Sequence, residues 1–270
     1  MIQIGIDVSP ALLAGLDANI IDLDFIEVGG GKSLDVVQQA LAFKPVLIHD
    51  VSSQFWLNYD NPFVEPTMTH ARALLDATKP AWFSTGIGAS AEPQGHTLPF
   101  WRGADASQLQ TREKVHDNIL RNATKLQDWL GLPLLLENYN YHPTNAYEYV
   151  CEPEFFSALI NAIGCGVLLD ISHSRISAHN MKWGDVRDYM QALPLDKVRE
   201  VHIAHPKLDG DQMLDMHQPI DASDLDTLAW VLDHCPAEAL TLEVVDGVTP
   251  EQLAAQARMM REVTTKIRRN

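Results

Sequence analysis

Acidic and histidine side chains recur in this chain where short apolar runs stop. Glu27 closes one such run, His49 and Asp50 another, and Glu137 and Asn138 a third. Asp170 closes a fourth, with His173 shortly after it. His202 lies in a fifth, followed by His205, and Asp215-Met216-His217 occupies the polar stretch beyond. Glu243 ends a sixth, with Asp246 after it. Carboxylates brought to one place repel each other and raise each other's pKa, and bound cations remove that penalty. Neutral imidazole with carboxylate is a ligand set for Zn, Fe or Mn. In an extended segment Asp215 and His217 point to the same side, so both could grip one ion. Carboxylates also bridge metals, so six to eight ligands suit more than one ion. No thiolate is among them, which argues against a structural zinc site.

Taken singly, each residue has an ordinary reading. His49 or His202 could be a hydrogen-bonded interior histidine, Glu137 or Glu243 half of an ion pair, and Asp170 a helix cap. The metal reading rests on their coincidence at so many run ends. His205 is the weakest member, because its side of the chain can differ from that of His202. His96 and His142 fall in loops and are candidate substrate contacts. His70, His116, His179 and His234 read as surface residues, and Trp82, Trp129 and Trp230 as packing residues.

The apolar runs are the elements that must position these groups. Strands are expected at 2–6, 23–28, 45–49, 81–85, 133–137, 166–170, 198–203 and 240–244. Helices are expected at 33–42, 67–77, 111–130, 153–163, 183–192, 224–233 and 250–266, with a weaker one in 10–22. Strand–helix alternation argues for a parallel sheet. Eight units without an interior linker argue for closure into a single-domain (β/α)₈ TIM barrel spanning 1–270. An open doubly wound sheet is disfavoured, because no glycine-rich dinucleotide loop follows the first strand. In a barrel the C-terminal strand ends meet at one mouth, whatever their separation in sequence. Two long connections, 86–110 and 205–221, follow strand ends and are expected to border that mouth.

The length of 270 residues is close to the roughly 250 of one such barrel. A formal charge of −16 disfavours nucleic acid, whose binding needs Lys and Arg on phosphates. No run of apolar residues is long enough to span a membrane, and the N-terminus enters a strand without a signal-like segment. Cys151, Cys165 and Cys235 form no CxxC pair and read as structural thiols, which fits a reducing cytoplasm.

The motifs themselves carry a resemblance. Val46-Leu47-Ile48-His49, Leu134-Leu135-Leu136-Glu137-Asn138, Gly164-Cys165-Gly166-Val167-Leu168-Leu169-Asp170, Glu200-Val201-His202-Ile203-Ala204, Leu214-Asp215-Met216-His217 and Leu242-Glu243 resemble, in order and spacing, the DUF692 family of multinuclear non-heme iron-dependent oxidative enzymes. That resemblance implies a xylose isomerase-like TIM barrel with two or three iron ions and O₂ as co-substrate, other divalent metals being the alternative. It implies a ribosomally made precursor peptide as substrate, and a partner protein that presents it. It implies His49, Glu137, Asp170, His202, Asp215, His217 and Glu243 as ligands. His173 stands where many members carry an asparagine near the metals. Glu27, Asn138, His205 and His96 are candidates for substrate contact or for support of the ligands.

There are departures. The family's Ser-Asp-His-Leu-like segment, whose histidine is a ligand, reads Ser84-Thr85-Gly86-Ile87 here. A Gly-Leu-Arg near the first strand reads Gly5-Ile6-Asp7, and a glycine after strand seven is His205. The missing histidine at Gly86 is expected to weaken one metal position, with His173 or His205 partly replacing it.

Three functions compete on sequence grounds. An iron- and O₂-dependent peptide oxidase is the leading one. A divalent-metal sugar isomerase, epimerase or hydrolase on the same barrel would work without oxygen. A non-catalytic scaffold that has kept its metal site would show full metal and no turnover.

Overall fold

The computed structural model describes residues 1–29, 31–50, 56–92, 106–244 and 247–267. Eight parallel strands close into a barrel in the order β1 (Gln3–Asp7), β10 (Ala239–Leu242), β7 (Val198–Ile203), β6 (Gly166–Asp170), β5 (Leu134–Glu137), β4 (Phe83–Gly86), β3 (Val46–His49) and β2 (Phe25–Gly29). These are the eight strands expected from the apolar runs, each within two residues at its ends. Helices α1 (Pro10–Asp17), α2 (Leu34–Leu41), α3 (Glu65–Thr78), α4 (Arg112–Leu130), α5 (Pro153–Ile163), α6 (Ile171–Asn180), α7 (Val186–Gln191), α8 (Ala222–His234) and α9 (Pro250–Ile267) occupy the connections.

Local chemistry sets the helix ends. The Ser9 hydroxyl accepts from the Leu12 N–H at the start of α1, with Pro10 in the first turn, and Thr111 caps α4 by accepting from Lys114. Helices α4 and α5 both stop at a glycine in the left-handed conformation, Gly131 and Gly164. A helix and a two-stranded hairpin were not anticipated. Helix α6 follows β6 at once and is buried on most sides, so it carries little of the amphipathic pattern that marks a helix in sequence. Its serines are satisfied internally: Ser172 donates to the Ala204 carbonyl, Ser174 to Asp170 and Ser177 to Tyr139. The polar stretch 205–221, read as a loop, contains an antiparallel hairpin of β8 (His205–Asp209) and β9 (Gln212–Gln218).

The barrel interior follows from the pleat. Along a barrel strand, alternate residues point inward. Phe25, Leu47, Trp82, Leu135, Leu168 and Ala239 form an apolar cluster separate from the large core beneath the helices. This plug fills the N-terminal end of the barrel. Two residues further along each chain segment stand Glu27, His49, Ser84, Glu137, Asp170 and Thr241. The interior therefore changes from apolar to polar, mostly ionisable, side chains in one step of the pleat. Gly5 is required in this layer: a Cβ there would stand 2.3 Å from the Phe25 ring.

Candidate metal centre at the barrel mouth

Each chemically capable side chain reaches the mouth because a strand ends beneath it. His49 ends β3, Glu137 ends β5, Asp170 ends β6, His202 lies on β7, and Glu243 follows β10; Glu27 sits in the middle of β2, one layer below the mouth. His173 projects from the first turn of α6, whose cap is Asp170: one carboxylate oxygen accepts from the His173 N–H at 2.7 Å. Asp215 and His217 enter from above, on β9. The helix-cap reading of Asp170 and the site reading hold together, because its second oxygen is buried without a hydrogen-bond partner.

Two clusters result. His49, His202 and Glu243 offer ligand atoms within 4.8 Å of one another, and so do Glu137, Asp170 and His173. His49 Nε2 lies 3.5 Å from Glu137, which links the two. In the first cluster His202 Nδ1 is 3.2 Å from Glu243, and the His49 and His202 rings meet edge-on with centroids 5.0 Å apart. In the second, His173 Nδ1–H donates to the Asn138 carbonyl at 2.9 Å, leaving Nε2 facing Asp215 at 3.1 Å and Asp170 at 3.9 Å. Asp215 Oδ2 also receives His217 Nε2 and the Asn140 amide, each at 3.2 Å. His217 Nε2 lies 3.8 Å from Glu243, so the hairpin spans both clusters.

The electrostatics describe a site short of positive charge. Burial pushes the Glu137 carboxyl up to about 8 and Asp170 to about 6, against the pull of His173. Burial and the neighbouring His202 push His49 down to about 4. Despite burial, Asp215 and Glu243 draw His217 up to about 10, and Glu27 and Glu243 raise His202. In return His173 and His217 hold Asp215 well below the usual carboxylate range, burial notwithstanding. Without a cation, protons on His173, His202, His217 and Glu137 neutralise the crowd of carboxylates. A divalent cation would displace those protons and take their role.

The donor set fits a metal. Three atoms at the mouth, Asp170 Oδ2, Asp215 Oδ1 and His202 Nδ1, are buried without a well-formed hydrogen bond. Buried polar atoms are normally satisfied, and these three lie at the two clusters, where Asp215 Oδ1 and His202 Nδ1 meet only the ion-pair partners His217 at 3.1 Å and Glu243 at 3.2 Å, a set that fits a cation.

The clusters floor a cavity of about 540 Å³. Tyr139 and Tyr147 stack along one wall with centroids 5.8 Å apart, and His142 packs edge-on against Tyr147. Trp56, Leu214 and Met216 complete the rim, and no Lys or Arg lines it among the described residues.

The remaining candidates separate on geometry. Asn138 is buried beneath the cavity as a latch: its amide accepts from Asp170 N–H and donates to the Asp170 carbonyl and to Ser174. His205 turns to α8, where Nδ1 lies 2.9 Å from Asp224, itself ion-paired with Arg175. Of the two histidines considered as replacements at Gly86, only His173 reaches the cavity. His96 and most of the connection 86–110 lie outside the described residues, as does Asp246. A Cβ at Gly86 would stand 3.1 Å from the Tyr139 ring, so Tyr139 fills the space a side chain there would need.

Sequence reasoning overlooked Glu200, fully buried two residues before His202 and on the same inward face. The alternation of β7 could have found it. It also explains Trp82, which packs as expected but donates its indole N–H to Glu200 at 2.7 Å. Ser84, Asn140 and Tyr139 were missed because nothing local marks them.

A family-wide sequence profile described as "RiPP precursor modification enzyme MbnB/TglH/ChrH" matches residues 3–265. A UPF0276 protein of Caulobacter vibrioides is 28% identical over 228 residues, covering 79% of this chain and 76% of its own. A UPF0276 protein of Vibrio parahaemolyticus is 28% identical over 210 residues, covering 74% and 70%. Among solved structures, a D-tagatose 3-epimerase-like protein aligns with a TM-score of 0.66 at 12% identity, over 99% of both chains. A xylose isomerase-like TIM barrel protein from Mycobacterium smegmatis, in complex with magnesium, aligns with a TM-score of 0.60 at 14% identity, over 98% and 97%. Likeness at such identities is one of fold, and the fold is the xylose isomerase-like TIM barrel. The profile runs from the first barrel strand to the last helix, and on it the chain belongs to the DUF692 family of RiPP precursor modification enzymes described by MbnB, TglH and ChrH.

Proposed function

We propose that this chain is a multinuclear non-heme iron enzyme that uses O₂ to oxidise a ribosomally made precursor peptide. The family supports the substrate class. The observation that carries the metal part is the pair of His/carboxylate clusters on one cavity floor, with orphaned ligand atoms in both and in Asp215 above. His49, His202 and Glu243 would hold one ion, and Glu137, Asp170 and His173 a second. Asp215 and His217 close over both from the hairpin. Iron held there, with open coordination positions, would supply binding of O₂ and of a substrate thiolate or carboxylate, together with electrons.

The chain's own residues supply the rest. The cavity admits a few side chains or a chain end rather than a folded domain. Stacked Tyr139 and Tyr147 offer a flat wall that excludes water on one side. Among the described residues no Lys or Arg lines the rim, so there an anionic group of the substrate would be held by bound cations. The ligand number exceeds what one hydrolytic ion needs. The His and carboxylate donors would accept several divalent metals, and iron belongs to the oxidative reading. A partner protein that presents the peptide belongs to the same proposal.

Iron-loaded protein incubated with a candidate precursor peptide is expected to change the peptide's mass only when O₂ is present. The neighbours of this fold include a protein described as D-tagatose 3-epimerase-like. Turnover of a ketose under strict anaerobiosis, with no peptide product, would replace the oxidase by an epimerase.

A further inference from the structure

Beneath the clusters lies an arrangement that the ligands themselves do not use. Glu27 on β2 and His202 on β7 are both essentially inaccessible to solvent. The Glu27 carboxylate brackets His202 Nε2, with oxygens at 3.0 and 3.1 Å. A carboxylate oxygen accepts, so Nε2 is the nitrogen that keeps its proton. Glu27 is itself held by a side-chain hydrogen bond with Glu200. Glu200 lies behind, 3.8 Å from the same nitrogen. Its own oxygens receive the Trp82 indole N–H at 2.7 Å and the Thr241 hydroxyl at 3.1 Å. His202 therefore cannot turn its Nε2 toward the cavity without stripping a buried carboxylate of its partner. Its other nitrogen, Nδ1, is buried, lacks a well-formed hydrogen bond, and faces the place that His49 and Glu243 also face.

We propose that Glu27, steadied by Glu200, is the positioning residue of this centre: it holds the proton on His202 Nε2 and so presents Nδ1 as the ligand to the ion shared with His49 and Glu243. This deepens the metal reading above and rests on it. The contrast with His173 gives the arrangement a purpose. There Nδ1 donates to a backbone carbonyl and Nε2 faces the cavity; in His202 the two nitrogens exchange roles, and a carboxylate replaces the carbonyl. A carboxylate behind a ligating imidazole fixes its orientation and raises its basicity, and removing such a partner typically lowers metal affinity about 10–100-fold. Glu27 does not line the cavity, and its contact with the centre is His202.

The test uses the full chain, labelled with ¹⁵N at histidine and titrated with Zn(II), a diamagnetic probe. In wild type, long-range nitrogen–proton spectra should show His202 keeping its Nε2 proton while Nδ1 shifts on zinc binding. Glu27→Gln should lose about 10–100-fold in affinity at one of the sites, leave the site of Glu137, Asp170 and His173 unchanged, and blur the single tautomer. Glu27→Asp keeps the charge and withdraws it by one methylene, so it should fall between the two and covers the case in which Glu27→Gln does not fold. Coordination through Nε2, or unchanged affinity and tautomer in both variants, would overturn the inference while leaving the metal centre intact. Wild type that binds no transition metal would overturn both, and the titration alone distinguishes that outcome.

Discussion

Asp215 and His217 act at the level of single residues. Both stand on the half-exposed strand β9, and their side chains meet His173, Asn140 and Glu243 rather than the apolar core. Asp215→Ala and His217→Ala should therefore each lower metal content, seen by elemental analysis, while circular dichroism shows an intact barrel. Unfolding of both variants would make the pair structural instead. Asp170 separates two roles within one side chain, since one oxygen caps α6 and the other is buried without a hydrogen bond in the cluster with Glu137 and His173. Asp170→Asn keeps an acceptor for the cap and should hold stability to within about 1 kcal/mol, yet lose the ion held with Glu137 and His173. Asp170→Ala loses the cap as well, at a further cost of about 1 kcal/mol in denaturant unfolding. Equal metal content in wild type and Asp170→Asn would remove Asp170 from the centre.

Strands do at the next scale what single residues cannot. The step from an apolar plug to a polar layer occurs two residues on along each strand, and the parallel registers set Glu27 beside Asp7 and Asp170 beside His202 while Glu27 and Glu137 also face the plug residues Leu47 and Leu168. The layer below has no slack. Gly5→Ala places a methyl against the Phe25 ring and should cost about 1–3 kcal/mol of stability, read as a lowered denaturant midpoint. Because Phe25 is two residues from Glu27, the same variant should also weaken metal binding at the His49, His202 and Glu243 site. A stable Gly5→Ala protein with wild-type metal affinity would show that the plug and the polar layer are independent.

For the whole molecule, the decisive property is how the mouth responds to pH. In the metal-free protein the folded state holds protons more tightly than the unfolded chain does: burial raises Glu137 to about 8, and Asp215 and Glu243, outweighing burial, raise His217 to about 10. The folded state thus binds more protons, so unfolding free energy falls as pH rises. Glu137 contributes that loss between its ordinary 4.5 and about 8, and His217 between 6.5 and about 10. The melting temperature of metal-free protein should therefore drop from about pH 6 to about pH 9. Metal binding displaces the same protons, so affinity should rise over that range and protons should be released into weakly buffered solution. Loading at a hundredfold excess over Kd should add about 2.7 kcal/mol, or roughly 5–10 °C in melting temperature. A metal-free melting temperature that rises with pH would reverse the proton assignment.

Much of this protein is legible in its sequence because its signals are local. Short β-rich runs separated by helical stretches identify the eight strands, and parallel strands joined this way can close only with their C-terminal ends at one mouth. Glu27, His49, Glu137, Asp170, His202 and Glu243 could thus be placed together from their positions at strand ends. Helix α6 stayed hidden because it is buried on most sides, and hairpin β8–β9 because its sequence is polar on both faces. Only the tertiary structure decided which way a side chain turns once its backbone is placed. His202 and His205 are three residues apart on one segment, yet one nitrogen of His202 meets Glu27 across the barrel while His205 meets Asp224 outside it. Glu200 became part of the site because Trp82 and Thr241, distant in sequence, satisfy its buried oxygens. Periodicity is written in neighbouring residues, whereas the partner of a buried polar group is set by strands that meet only when the barrel closes.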